Sequence, residues 1–246
     1  MACLVIAPAL ALAACGGDGG TPTDAHPDTP IDTPSGACGA GTVFTGEYVN
    51  WISGESATFC GVAGAKWTVR GDSSAAATTT TPPNGRFVLC VPRQAQTIVD
   101  ITPPTAASGC LGSDHTLYPR RGIAIASDAV IAADGAFTAR AMTQSQEAAM
   151  FTQIGAAYDA AQAQLFVHLD GALRAVSISA NHAPAQQFDG TSWQAYPDAS
   201  TPIGGDLLFP NVDARAVQIT VAGGATGPTA FTLEADRVTY VALIAH

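Results

Sequence analysis

Alternating apolar and polar positions dominate the chain from about residue 38 onward, and this pattern predicts strands rather than helices. Residues 65–70, AKWTVR, place apolar and polar side chains on opposite faces, as a half-buried strand does. The turn signal Asn84-Gly85 directly precedes another apolar stretch at 86–91. Further strands are predicted at 96–102, 122–131, 164–169, 175–180, 206–209, 217–221, 230–234 and 238–244. The folded part of the chain is therefore predicted to be mainly β.

One segment departs from the strand pattern. Thr143-Gln144-Ser145-Gln146 has the form of a capping box, in which a threonine and a glutamine satisfy the first backbone amides of a helix. The helix-forming residues EAAMFTQI follow. The sequence predicts a helix from about 144 to 153, which could extend to Ala163.

The first residues have the hydrophobic pattern of an export signal. Residues 2–14 form an uncharged apolar run, which is shorter than the roughly 20 residues that a membrane-spanning helix needs. It has the length of the apolar region of a signal peptide. The run ends in Leu12-Ala13-Ala14-Cys15, which resembles the lipobox of bacterial lipoproteins. This resemblance implies that residues 1–14 are a signal peptide and that the Cys15 thiol carries a diacylglycerol, which anchors the protein to a membrane.

The segment after Cys15 predicts a flexible tether. Residues 16–37 consist mostly of Gly, Pro, Thr and Asp, and they contain too little apolar surface to order themselves. No aspartate follows Cys15, and in the sorting rule of enteric bacteria this absence favours the outer membrane. We therefore expect an outer-membrane lipoprotein of the cell envelope, facing either the periplasm or the surface.

The charge balance excludes one class of partner. The chain has 20 acidic and 10 basic residues, a net charge of −10. Nucleic acids are usually bound by clustered Lys and Arg, so nucleic acid is not expected as a partner. The expected partners are the membrane, through the lipid, and an envelope protein or polysaccharide.

Four cysteines remain beyond the predicted lipidation site: Cys38, Cys60, Cys90 and Cys110. An even number of cysteines in an exported chain predicts two disulfides. The sequence permits three pairings, and closure of the shorter loops favours Cys38–Cys60 with Cys90–Cys110. The spacings are unlike those of zinc sites, so no metal site is predicted.

Two stretches of the chain resemble each other. Residues 81–89, TPPNGRFVL, correspond to residues 201–209, TPIGGDLLF. The upstream stretches 65–71 and 175–181 correspond as well. The repeat predicts that the same arrangement of strands occurs twice.

The first copy also resembles a known family. Residues 60–69, CGVAGAKWTV, followed by residues 84–92, NGRFVLCVP, are similar to a carboxypeptidase regulatory-like domain. The resemblance covers about residues 58–103, and a weaker copy covers about residues 172–244. It implies a transthyretin-like, Greek-key β-sandwich that carries no catalytic residues.

These observations predict two small β-sandwich lobes joined by a short helical segment. The expected domains are the signal peptide at 1–14, the tether at 15–37, a disulfide-stapled sandwich at 38–141, a helical connector at 142–163 and a second sandwich at 164–246.

The sequence contains no complete set of residues that matches a known catalytic motif. Gly71-Asp72-Ser73-Ser74 resembles the start of GDS-type esterases, but the Asp-x-x-His that this chemistry needs does not occur near the C-terminus. No nucleophile elbow, zinc-protease helix or phosphate-binding loop occurs either. His168, in a predicted strand, is expected to be a surface or hydrogen-bonded side chain. No catalytic residue and no cofactor are expected.

The predicted function is a non-catalytic adhesion or scaffold module of the envelope. The alternative is a carbohydrate-binding module that stacks sugar rings on exposed aromatic side chains, with Trp51, Trp193 and Tyr196 as the candidates. A hydrolase is the less favoured third hypothesis.

Overall fold

The structure is a computed structural model that describes residues 38–50, 61–94, 96–104, 121–125, 137–196 and 200–246. The predicted signal peptide, the lipidation site Cys15 and the tether lie outside these residues, as do Cys60, Cys110 and Trp51. Among the described residues, no helix has the length and hydropathy of a membrane span.

Sixteen strands and one α-helix are defined in the described part of the chain. In chain order they are β1 (Thr42–Asn50), β2 (Lys66–Val69), β3 (Thr78–Thr80), β4 (Arg86–Val91), β5 (Thr97–Thr102), β6 (Arg121–Ile125), β7 (Phe137–Ala141), α1 (Gln144–Gln153), β8 (Ala163–Arg174), β9 (Val176–Ile178), β10 (Gln186–Phe188), β11 (Trp193–Ala195), β12 (Ile203–Val212), β13 (Ala216–Val221), β14 (Ala225–Thr226), β15 (Ala230–Thr232) and β16 (Val238–Ala245). The prediction of a mainly-β fold is confirmed.

A central sheet connects the two halves of the chain. Its strand order is β11-β10-β12-β8-β16-β6-β5-β2-β3, and β14 pairs with the end of β16. Strand β16 lies between β8 and β6 and is parallel to both. The last strand of the chain therefore joins strands of the second half to strands of the first half.

Each face of this sheet carries its own hydrophobic core. Phe166 on β8 belongs to one cluster, whereas its neighbours Leu165 and Val167 belong to the other. This alternation follows from the two-residue period of a strand. The first core is completed by the small sheet β4-β1-β7 and by α1, and the second by the small sheet β15-β13-β9.

The central strands have the sequence that this arrangement requires. The first five residues of β8 are all buried, and so are five consecutive residues of β12, Asp206–Pro210. A strand covered on both faces is buried at consecutive positions instead of alternate ones, and apart from Gln164 and Asp206 these residues have apolar side chains. The prediction of two sandwich lobes is confirmed with one addition, because the two lobes share the central sheet and β6 of the first half pairs with β16 of the second.

The two sequence repeats have the same connectivity. In the first, β2 pairs with β5 while the intervening β4 crosses to the facing sheet. In the second, β9 pairs with β13 while β12 crosses to the facing sheet. In the first copy, β2 and β5 lie in the central sheet and β4 lies in an outer sheet. In the second copy, β9 and β13 lie in an outer sheet and β12 lies in the central sheet. The two copies therefore pack on opposite faces of the central sheet.

The favoured disulfide pairing is wrong. Cys38 is bonded to Cys90, with a Cα–Cα distance of 5.3 Å across a sequence separation of 52. The antiparallel pairing of β1 with β4 places Val43 opposite Cys90, and this brings the start of the fold to the end of β4. Long-range strand pairing, and not loop length, therefore selects the partner of Cys38.

The strand predicted at 206–209 is longer than expected, because β12 begins at Ile203 and continues through Pro210 to Val212. The register of β12 against β8 shifts between Phe209 and Val212, and Asn211 has φ +50°. Proline lacks the amide that a regular ladder would use, and a bulge accommodates it.

Candidate functional site

A groove of about 590 Å³ lies between α1 and the β10–β11 hairpin. Helix α1 is fixed at its N-terminus by the predicted capping box, which is confirmed. The Thr143 hydroxyl accepts a hydrogen bond from the Gln146 amide, and the Gln146 side chain accepts one from the Thr143 amide at 2.8 Å. Met150 and Phe151 anchor the helix in the first core.

The opposite wall is a tight hairpin. The Asp189 Oδ1 atom accepts hydrogen bonds from the amides of Ser192 and Thr191, each at 2.8 Å. These bonds lower the pKa of the Asp189 carboxyl. The turn sets Phe188 opposite Trp193, with their ring centroids 5.3 Å apart.

The two described aromatic candidates are core residues rather than exposed platforms, which corrects the expectation for both. Trp193 is 6% exposed and packs edge-to-face on Phe166. Tyr196 is 7% exposed, and its hydroxyl donates to the Thr201 carbonyl at 2.8 Å and accepts from the Val176 amide at 3.0 Å. The hairpin forms the edge of the central sheet, with Trp193 in the first core and Tyr196 in the second, so these rings complete the two cores. Trp193 still lines the groove.

The groove has an apolar floor and an uncharged polar rim. It is lined by Met142, Gln146, Ala149, Met150, Thr152, Gln153, Phe188, Thr191 and Trp193. Its volume lies within the range of small-ligand sites, and methionines adapt to ligands of irregular shape. This lining suits an uncharged ligand or the apolar side chains of a partner, and it brings together no nucleophile with a base.

A second cluster lies on β8 and β12. The Nδ1 atom of His168 is 2.7 Å from Asp206 Oδ1, and its Nε2 atom is 3.2 Å from Asp170 Oδ1. Burial lowers the pKa of His168, but the hydrogen bond and charge of Asp206, with smaller contributions from Asp170, outweigh burial and raise it. The expectation that His168 is hydrogen-bonded is met, although the sequence did not indicate its two carboxylate partners.

The remaining polar features are structural in their contacts. The Asp72 side chain, in the segment that resembles the start of GDS-type esterases, accepts a hydrogen bond from the Ser74 amide at 2.8 Å, which is typical of a polar turn. His182 lines a polar hollow of about 340 Å³, and its Nδ1 atom lies 2.6 Å from the Ala183 carbonyl oxygen. Among the described residues, no group of three or more His, Cys, Asp or Glu side chains is arranged to hold a metal ion.

No family model matches the chain, and no curated protein matches it. Among solved structures it is similar to the shaft pilin SpaA from Lactobacillus rhamnosus GG, with 10% identity over 84% of this chain and 98% of that chain and a TM-score of 0.27. It is also similar to GBS52, the minor pilin of Streptococcus agalactiae, with 8% identity over 83% and 96% of the two chains and a TM-score of 0.22. Identity and TM-score are low in both cases, so the function has to be argued from the residues of the chain itself.

Proposed function

We propose that the protein is a non-catalytic module of the bacterial cell envelope, held on the outer membrane by a lipid on Cys15, with an adhesion or scaffold role. The lipobox-like Leu12–Cys15 and the polar tether at 16–37 support the anchor. The folded part would then stand away from the membrane and present its surface to other envelope components.

We also propose that the first half is a carboxypeptidase regulatory-like domain. Gly64 has φ +78°, as the turn before β2 demands, and Gly85 has φ +74° in the turn before β4. The order of turn, strand, threonine-rich segment, turn and strand agrees with the resemblance in the sequence. A domain of this family would supply the lobe with a rigid frame and no catalytic groups.

The observation that carries the scaffold proposal is the position of the disulfide. Cys38 directly follows the predicted tether at 15–37, and it is bonded to Cys90 within β4. A pull on the tether is therefore transmitted to β4, and the residues between the two cysteines cannot be drawn out of the fold. Such a staple is suited to a domain that bears load between a membrane and a partner.

The groove between α1 and the hairpin is the proposed contact surface. A carbohydrate ligand is the second candidate function, because the groove lining combines the partly exposed ring of Phe188 with the uncharged side chains of Gln153 and Thr191. Uncharged amides and hydroxyls match the hydroxyl groups of a neutral sugar.

The anchor is tested by changing Cys15→Ser and fractionating the cells. The wild-type protein is expected in the membrane fraction, and the variant in the soluble fraction, because a thioether needs the cysteine sulfur. A variant that stays in the membrane fraction would contradict lipid anchoring.

The contact surface is tested by capture of solubilised envelope proteins and polysaccharides on the purified protein. The change Ala149→Arg introduces a long charged side chain into the groove lining, whereas Ala148→Arg is exposed on the same helix outside the lining. We expect the wild type and Ala148→Arg to retain the same component and Ala149→Arg to lose it. Equal retention by both variants would exclude the groove, and turnover of a bound ester, glycan or peptide would contradict the non-catalytic role.

A further inference from the structure

The imidazole of His168 lies between two carboxylates. Its Nδ1 atom is 2.7 Å from Asp206 Oδ1, and its Nε2 atom is 3.2 Å from Asp170 Oδ1. Asp206 lies directly opposite His168 on β12, and Asp170 follows two residues later on the same face of β8. The three side chains form one row of contacts, which we call the imidazole clamp, and it ties β8 to β12 in the central sheet.

Both contacts are hydrogen bonds only when the imidazole carries two protons. An ionised carboxylate has no hydrogen to donate, so each ring nitrogen has to supply an N–H. A neutral imidazole has a single N–H, and its other nitrogen would turn a lone pair toward a carboxylate oxygen. The geometry of the clamp is therefore that of a protonated His168 held between two negative charges.

The two carboxylates differ in their access to water. The side chain of Asp206 is 8% exposed, whereas that of Asp170 is 67% exposed. Asp206 cannot replace its partner by solvent, and leaving a buried charged acceptor unpaired is costly. Asp170 can turn into water at little cost. When the ring loses a proton, the remaining N–H is therefore expected to stay with Asp206.

Among the described residues, the other neighbours of the imidazole on this face carry no charge. They belong to the first core or pack against it: Phe166 on β8, Leu208 on β12 and Ala242 on β16. Burial lowers the pKa of His168, but the hydrogen bond and charge of Asp206, followed by those of Asp170, raise it above 6.5. The stability that the clamp contributes is thus present below pH 6.5 and is lost as the pH rises through the folded-state value.

We propose that Asp170, His168 and Asp206 form a pH-sensitive switch in the shared sheet, which opens when the proton on His168 Nε2 leaves to solvent. On opening, the Asp170 carboxylate turns into water, and the surface beside β8 becomes more negative by one charge. The bond from His168 Nδ1 to Asp206 remains, but it loses the charge of its donor and holds the two strands less strongly. The switch does not involve the groove, so its failure would leave the proposed envelope function intact.

The experiment follows the full chain by nuclear magnetic resonance while the pH is raised from mildly acidic to alkaline. The ring nitrogen signals of His168 count its N–H groups, and the carboxyl carbon signals of Asp170 and Asp206 report which contact is lost. Thermal unfolding at the same pH values measures the effect on stability.

Two variants and a matched control separate the switch from other titrations. His168→Gln removes the group that takes up the proton, and Asp170→Asn removes only the exposed carboxylate. The control is His182→Gln, because His182 is an exposed histidine whose Nδ1 atom lies near a backbone carbonyl oxygen instead of a carboxylate.

We expect the wild type to show two N–H groups on His168 at mildly acidic pH and to lose the Nε2 hydrogen only above pH 6.5. The carboxyl carbon of Asp170 should shift over the same range, whereas that of Asp206 should keep its hydrogen-bonded position. The midpoint temperature of unfolding should fall by about 2–4 °C over this range in the wild type and in His182→Gln, and by less in the other two variants.

A His168 ring that loses its proton below pH 6.5 would overturn the proposal. So would an Asp206 carbon that shifts while that of Asp170 does not, or a midpoint temperature that depends on pH equally in the wild type and in a folded His168→Gln variant. Asp170 is exposed, so Asp170→Asn should keep the wild-type circular dichroism spectrum even if His168→Gln does not fold. In that variant His168 should lose its proton at a lower pH than in the wild type, and an unchanged titration would contradict the clamp.

Discussion

Arg237 donates a hydrogen bond from Nη1 to Asp100 Oδ1 at 2.5 Å, although 137 residues separate them in sequence. Arg237 also contacts Glu234, and Arg70 contacts both Glu234 and Asp100. The four side chains form a closed ring of alternating charge. The ring links β2 and β5 in the first half to the turn before β16, beside the strand pairing that joins the two halves.

Acid should weaken this ring. Burial raises the pKa of Asp100, but the hydrogen bond and charge of Arg70, followed by those of Arg237, outweigh burial and lower the pKa below 3.8. The contribution of Asp100 to stability is therefore present above pH 3.8 and is lost as the pH falls through the folded-state value. We expect Asp100→Asn to lower the free energy of unfolding at neutral pH by on the order of 1 kcal/mol, since the ring is partly exposed.

The measurement is urea denaturation of the wild type and Asp100→Asn across the acid range. The two curves should converge as the pH falls, because protonation removes the same charge that the substitution removes. A difference that stays constant down to the lowest pH would show that Asp100 acts through packing instead of through its charge.

The disulfide should contribute strongly to stability. Closing a loop of the length between Cys38 and Cys90 restricts the unfolded chain by about 4 kcal/mol in the loop-entropy model. Changing Cys90→Ala should lower the midpoint temperature of unfolding, and adding reductant to the wild type should lower it as well. Peptide mapping without reduction should recover Cys38 linked to Cys90, whereas recovery of Cys38 linked to Cys60 would contradict the structure.

Gly85 should tolerate no side chain. Its φ is +74°, and a Cβ there would overlap the carbonyl oxygen of Tyr48 and the Cα of Gly61. Gly71 has a similar φ of +80°, but no atom lies within 4 Å of the position that a Cβ would take there, so Gly71 isolates the cost of φ alone. We expect Gly85→Ala to reduce the free energy of unfolding by several kcal/mol more than Gly71→Ala. If chemical denaturation gave the same loss of unfolding free energy for Gly85→Ala and Gly71→Ala, the turn at Gly85 would have to be able to move away from β1.

The carbohydrate candidate makes a separate prediction. A neutral oligosaccharide in the groove should change the emission of Trp193, which lines it, and Trp193→Phe should lose the response. Trp67 is fully buried in the first core, so Trp67→Phe should keep the response. If no oligosaccharide changes the emission of the wild type, the carbohydrate candidate is excluded while the scaffold role stands.

Local signals in the sequence located individual elements well. The turn Asn84-Gly85 and the following apolar run predict β4 at 86–91, which matches its bounds. The capping box at Thr143 predicts α1 at 144–153 equally well. In both cases the controlling interactions lie within a few residues of one another, so a single stretch of sequence contains them.

Interactions between distant segments were not visible in the same way. Strands β1 and β7, which complete the first core, were not predicted, and the choice of Cys90 as the partner of Cys38 depends on β1 pairing with β4. Trp193 lies near a turn in sequence, but the hairpin pairs with β12 at the edge of the central sheet and Trp193 is buried against Phe166 in the first core. The partners of His168 similarly depend on the register between β8 and β12.

The two cores share one sheet, so we expect them to unfold together. Ile101 in the first core and Ile219 in the second are each 1% exposed, so Ile101→Ala and Ile219→Ala should each cost about 2–5 kcal/mol. The test is equilibrium denaturation of both variants, in which unfolding is monitored by tryptophan fluorescence and, in parallel, by circular dichroism. We predict that each variant unfolds in a single transition. Its midpoint should be lower than that of the wild type, and the decrease should be the same for both probes. Two separated transitions, with each variant shifting only one of them, would contradict the shared sheet.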